Sequence, residues 1–229
     1  MPSNVQMPYT IQLPARALTL MQAACMFCST DKHEARLAVK CVFLTPVPGG
    51  LQIAATDQHA AFIGRVDIVG AMPENAGPVI IERAGLEAAI KALKKSVGST
   101  FWLTAGMNAA VYLRTDVEVS APSLSCPSLN FHRVAFRAHS EPRGLSDMPL
   151  IDVKYLEAVT KAAKILQKES RAYDDTEFKR VLLTAEIGGQ CEQCYALDKD
   201  AIALVMGVRP GDSRPDYERT RAAIFGGLE

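Results

Sequence analysis

Apolar positions along the chain fall into short alternating runs, interrupted by stretches of helical period. Residues 9–13 alternate and are closed by Pro14, which predicts a strand. Over residues 15–28, Leu18, Met21, Cys25 and Cys28 recur three and four apart, the spacing of one buried helix face. Residues 36–45 have strand composition, with Val39, Cys41 and Phe43 alternating. Residues 46–50 predict a turn, followed by strands over 51–56 and 60–68, a loop over 70–77 and a strand over 79–81. Residues 83–97 predict a second helix, with Leu86, Ile90, Leu93 and Val97 on one stripe. Strands are predicted again over 101–104, 109–114 and 117–120.

Residues 9–122 thus read twice as a strand, a helix and three strands, a repeat of element order without visible sequence identity. The expected packing is a mostly antiparallel sheet with both helices on one side, an α+β architecture. Four prolines (Pro122, Pro127, Pro142 and Pro149) punctuate the next stretch, which predicts a linker with one strand near 133–136. The pattern then returns. Residues 150–151 lead into a helix over 152–168, with Asp152 as its N-cap, and strands are predicted at 180–187, 191–197 and 201–208. A short helix is expected over 216–225. The expected organisation is one domain over 1–122, a linker over 123–149, a partial domain over 150–209 and a tail over 210–229.

The third helix carries the most chemistry. Lys154, Lys161, Lys164 and Lys168 fall within an arc of about 80° at 3.6 residues per turn. Tyr155, Val159, Ala162 and Leu166 occupy the opposite arc. In the second helix, Lys91, Lys94 and Lys95 also lie away from the apolar stripe. The pattern is compatible with solvated surface helices. Composition changes the weighting. Lysine plus arginine and aspartate plus glutamate number 25 each, so the chain is neutral and no general basic coat exists. Lysines gathered on two helix faces of a neutral chain suggest a surface for a polyanion. Without interleaved aromatics they suit phosphate contact and not base reading.

With 48% hydrophobic residues the chain can bury a core without staples. No stretch has the length and apolarity of a membrane span, and no secretory signal is visible, so a cytoplasmic protein is expected. Six cysteines in 229 residues do not read as a disulfide scaffold. Cys25/Cys28 and Cys191/Cys194 form two C-x-x-C pairs that could supply zinc ligands. Against this, the first pair lies on an apolar helix stripe and the second in a strand, where positions three apart face opposite ways. No metal or cofactor is expected. Asp57 and His59 could form an acid–base pair, but no motif places a nucleophile beside them. Asp174-Asp175 reads as a solvated turn, Gly49-Gly50 and Gly188-Gly189 as hairpin turns, and Trp102 as core.

Several of these segments together resemble the bacterial DNA polymerase III beta subunit, the sliding clamp. Ala55-Thr-Asp-Gln-His-Ala-Ala61 is similar to that family's Ala-Thr-Asp-Gly-His-Arg-Leu, and its spacing from Arg36 suits the family. Val79-Ile-Ile-Glu-Arg83 resembles Val-Ile-Val-Pro-Arg before the family's next helix. Cys126-Pro127 to Arg133-Val134 echoes the linker Phe-Pro-Asp-Tyr-Arg-Arg-Val. Leu204-Val-Met-Gly-Val-Arg209 resembles the C-terminal Val-Val-Met-Pro-Met-Arg. The similarity runs over most of residues 9–209.

The resemblance implies a clamp-like fold of repeated strand-helix-three-strand units with helices on one face of antiparallel sheets. It implies a non-catalytic processivity factor or replication scaffold whose lysine faces meet duplex DNA without sequence specificity. It also implies an apolar pocket for peptides of a DNA polymerase or another clamp-binding protein. Carried over by motif, that pocket comprises Val39, Thr56, Gln58, His59, Ala61, Leu204 and Met206, with Pro127 and Val208 beside it. A homo-oligomer is expected, as is an origin in phage, prophage or plasmid replication. The departures are specific. Gln58, Ala60 and Ala61 stand where the family has Gly, Arg and Leu, and Gly207 where it has Pro. About three units are visible instead of six, and 20 residues follow Arg209. The alternative is a clamp-fold interaction module or inhibitor that does not encircle DNA.

Overall fold

A computed structural model describes residues 8–96, 98–107, 110–125, 131, 152–169, 184–187 and 192–206. The expected helix over 216–225, the strand near 133–136, Cys126, Pro127, Cys191 and Val208 lie outside the described residues. The elements run β1 (Tyr9–Pro14), α1 (Arg16–Cys25), β2 (Cys41–Val47), β3 (Gly50–Thr56), β4 (Ala60–Asp67), β5 (Val79–Glu82), α2 (Arg83–Leu93), β6 (Thr100–Met107), β7 (Ala110–Arg114), β8 (Glu118–Pro122), α3 (Val153–Glu169), β9 (Thr184–Ile187), β10 (Glu192–Asp198) and β11 (Ala201–Met206).

Among the described residues two antiparallel sheets form, as the resemblance implied, although the pattern of residues 9–122 by itself suggested one. The smaller has the order β1-β6-β7-β8 and the larger β5-β2-β3-β4-β11-β10-β9. The repeat units therefore exchange their leading strands. β1 heads the first unit but pairs with β6, and β5 heads the second but pairs with β2. Each unit completes the other's sheet, so neither repeat can close its sheet alone. The third unit joins through β11, which lies antiparallel to β4 with Ala61 opposite Leu204 and Gly64 opposite Ala201. One sheet thus spans residues on both sides of the 123–149 stretch.

The helices pack on one face of the sheets and form the main core, and α1 lies between α2 and α3. Leu13, Leu20, Met21, Phe62, Leu86, Phe101, Val159 and Leu166 are buried there. Alternation explains the two sheets' different compositions. In the smaller sheet Ile11, Leu103 and Val111 point to the core while Thr10, Trp102 and Arg114 point to solvent. Trp102 is 40% exposed, so its expected core position is corrected: its neighbours Phe101 and Leu103 hold the inward side of β6. In the larger sheet both faces are covered, and β2 accordingly reads as an unbroken apolar run. Val42 and Leu44 face the helices, while Cys41 and Phe43 join a second small core with Ala54, Ala61, Ile80, Phe131, Cys194 and Leu204.

Several boundaries differ from the sequence reading, among them a strand expected over 101–104 that runs on to Met107. The helix expected to Cys28 ends at Cys25, followed by a turn through Phe27. The strand expected from residue 36 begins at Cys41, because Leu37–Lys40 makes a 3-10 turn that buries Val39. The second helix stops at Leu93, and Lys94 follows it in a turn. Asp152 does cap α3: the backbone N–H of Lys154 donates to its Oδ1 at 3.0 Å.

Candidate nucleic-acid interface and partner site

α3 divides as its sequence divides. Tyr155, Val159, Ala162 and Leu166 are buried, and Lys154, Lys161, Lys164 and Lys168 are exposed. Lys161 Nζ lies 3.2 Å from Glu157 one turn earlier, a surface pair that holds the ammonium only weakly. Lys91, Lys94 and Lys95 of the second helix region are exposed as well. The intervening α1 offers a different surface. Its partly accessible stripe is Ala15, Gln22 and Met26, with nearly buried Thr19 between them, and none is charged. Two lysine-bearing helices therefore flank one whose partly accessible stripe is uncharged and whose single cation, Arg16, is turned to α3 and the β10–β11 turn.

Lys154 is placed differently from the other lysines of α3. Its Nζ sits 4.6 Å from the centre of the Tyr155 ring and 3.8 Å from Asp152. The Tyr155 side chain, followed by Asp152 and Asp57, holds this ammonium above its ordinary pKa. The Tyr155 ring in turn lies 6.0 Å from that of His59. The start of α3 thus abuts the β3–β4 turn, which contributes to the second candidate site.

That turn is fixed by its own side chains. Thr56 Oγ1 accepts from Gln58 N at 2.9 Å and donates to Ala60 O at 2.8 Å. Asp57 Oδ1 accepts from the N–H groups of His59 and Ala60 at 3.0 and 2.9 Å. Asp57 is therefore engaged in turn closure, not oriented against a histidine ring as a catalytic pair would require. Gln58 has φ of 86°, the left-handed region that favours glycine. Its Oε1 accepts from Arg36 Nη1 at 2.5 Å, and Arg36 is itself braced on Glu34 at 2.7 and 2.8 Å. The Arg36 hydrogen bonds pull the Glu34 carboxyl down to about 2.

The β4–β11 pairing brings this turn to the end of β11. Met206 N donates to His59 O at 2.7 Å, and Leu204 lies opposite Ala61. Thr56, Gln58, His59, Ala61, Leu204 and Met206, far apart in sequence, are thereby gathered at one end of one seam. Val39 is buried in the 3-10 turn next to β3. Sequence reasoning missed several neighbours. Phe131 packs edge-on against Phe43 at 5.4 Å in the core that contains Ala61 and Leu204. Leu37 and Val153 are exposed beside residues bonded or stacked to the turn, at 53% and 68%, and Met206 is 47% exposed. For Val153 the available signal was an apolar residue directly beside the predicted cap Asp152, whereas Leu37 stood inside a predicted strand and gave none.

The cysteines behave as core. Cys25, Cys28, Cys41 and Cys194 are buried, and burial pushes Cys25 up to about 12 and Cys28 well above its usual value. Among the described residues no group of three or more His, Cys, Asp or Glu is placed to hold a metal ion, and no helix is long and apolar enough to cross a membrane.

No protein-family model matches the sequence, and no curated protein does. Solved structures do. A DNA polymerase III beta subunit from Thermotoga maritima superposes with a TM-score of 0.63 at 10% identity, over 92% of this chain and 66% of that one. A DNA polymerase sliding clamp from Bacillus subtilis gives 0.60 at 14% identity, over 89% and 65%. A beta sliding clamp from Caulobacter crescentus gives 0.62 at 10% identity, over 93% and 68%. This chain therefore spans about two thirds of the length of the clamps it matches.

Proposed function

We propose that this chain, which has the sliding-clamp fold, is a non-catalytic DNA-binding processivity factor or replication scaffold that takes partner peptides at the β3–β4 turn. The observation that carries the reading is the exposed lysine row of α3, set in the helix layer of that fold. Lys161, Lys164 and Lys168 would meet phosphates, with Lys91, Lys94 and Lys95 on the far side of α1. A protein that must hold DNA and still move along it needs diffuse charge without base contacts, and lysine supplies that. In this reading residues 1–122 form one clamp-like domain and 150–209 a partial second one. Copies of the chain assemble on duplex DNA in the cytoplasm.

The direct test is duplex binding across salt concentrations, with K161E/K164E/K168E as the variant. Counterion release predicts a loss on the order of 10²- to 10³-fold near 0.1 M salt if all three lysines meet phosphate. Thermal stability should hardly move, since all three side chains are exposed. Unchanged binding in that variant rejects the interface. The partner site is tested separately by M206D, which should abolish capture of clamp-binding peptides and leave DNA affinity intact.

A second reading is an interaction module that keeps the fold but does not encircle DNA. The uncharged, partly accessible stripe at Gln22 and Met26 along α1 favours it. Solution mass measured with and without circular DNA separates the two. A closed assembly is retained on circles and lost from linear DNA, whereas a module is not retained on either.

A further inference from the structure

At the end of the β4–β11 seam opposite the His59 turn, one guanidinium holds two separate pieces of the third unit. Arg16, the first residue of α1, donates from Nε and Nη2 to both carboxylate oxygens of Asp200 at 3.0 and 2.7 Å. Nη2 also reaches Asp198 Oδ2 at 2.7 Å, and Nη1 donates to the backbone carbonyl of Leu166 in α3 at 2.9 Å. The three side chains are only 18%, 11% and 18% exposed. Around them, Arg65 N donates to Asp200 O at 2.9 Å, Lys199 N to Asp198 Oδ1 at 2.8 Å, and Gln167 Nε2 to Leu197 O at 2.9 Å. The charged neighbours on the adjoining strand end are Arg65 and Asp67, 3.6 Å apart.

Two features make this more than a local ion pair. First, a cation at a helix N-terminus opposes the helix dipole, and α1 has no acidic residue in its first turn and no side-chain cap. The negative charge arrives from the β10–β11 turn, 182 and 184 residues later. Second, α1 and α3 meet within a core of small and apolar groups that includes Ala17, Ala24, Val159 and Ala163. Such packing is non-directional and resists sliding poorly, whereas a fork with fixed acceptors defines one register.

We propose that Arg16 is a positioning residue that sets where the α3 lysine row stands, by gripping the backbone of α3 and the β10–β11 turn at once. Leu166 lies between Lys164 and Lys168, so the grip falls within the row it orients. The role for DNA rests on the reading of those lysines given above; the role in fixing α3 does not. Lysine cannot replace arginine here, because a point charge lacks the planar fork that reaches carboxylate and carbonyl together.

The test uses the full chain with R16K and R16Q, and D200N as the milder variant should either fail to fold. Amide exchange is expected to quicken at least tenfold in α3 and β10–β11 while α2 and β6–β8 keep their protection. On duplex DNA, the slope of log affinity against log salt is expected to fall by about 0.9 for each phosphate no longer engaged, although every lysine is still present. Exchange that quickens evenly over the whole chain, or a variant with unchanged exchange and an unchanged slope, overturns the proposal. Absence of DNA binding by the unaltered chain would reject the DNA reading alone, and the exchange pattern would still decide the positioning role.

Discussion

The two ends of the β4–β11 seam are built from opposite materials. At one end, Arg16, Asp198 and Asp200 are nearly out of solvent and satisfy one another. At the other, Met206, Leu37 and Val153 remain exposed around a turn whose polar groups are already engaged with one another. Charge has been taken inward where the units must stay joined, and apolar surface has been left outward where nothing within the described residues covers it. A buried ion cluster adds directionality more than net stability, because desolvation offsets much of its attraction. Exposed apolar side chains do the reverse: they cost solubility and keep their free energy for a partner. The first arrangement suits a joint and the second a docking site.

Substitutions can break this contrast in graded steps. The largest effect is expected at the middle of the seam. Phe62 is fully buried on β4, packs 5.8 Å from Phe27, and belongs to the core that holds α1 against the sheet. F62A should lower stability by about 3–5 kcal/mol in urea titration and loosen both ends together. Next, the ends should respond unequally. D200N should lose about 1.5–3 kcal/mol, the range for hydrogen bonds to a charged group, whereas M206S should stay within about 0.5 kcal/mol of the unaltered chain. Equal losses at the two ends would erase the distinction.

A titration sharpens the open end. Hydrogen bonding from Arg36 holds Glu34 at about 2 against an ordinary 4.5. The folded pKa is depressed, so the pair's contribution is complete above 4.5 and is lost as pH falls through about 2. Carboxyl NMR should give a midpoint near 2, and R36A should return it towards 4.5. The smallest expected effect is at Gln58. Glycine relieves the left-handed backbone there but loses the Arg36 bond, so Q58G should gain only about 0.5 kcal/mol by thermal unfolding.

Much of this was legible from one sequence. Period located the three described helices and nearly every described strand, because a half-buried strand and an amphipathic helix must place their apolar residues two or 3.6 apart. The lysine row of α3 and its buried counterpart followed from the same spacing. Motif order also collected the residues of the β3–β4 turn with Leu204 and Met206. Local pattern was weaker where a strand and a 3-10 turn share composition, as at Leu37–Lys40, and where one aromatic residue could face either side of a sheet, as at Trp102.

Tertiary structure alone decided the exchange of β1 and β5 between units, the joining of β4 to β11, and the meeting of Arg16 with two aspartates nearly the whole chain away. Pairing of strand edges and satisfaction of a buried charge depend on which surfaces arrive together in space. A one-dimensional pattern records which face each side chain must turn inward, but it carries no term for the neighbour on the other side.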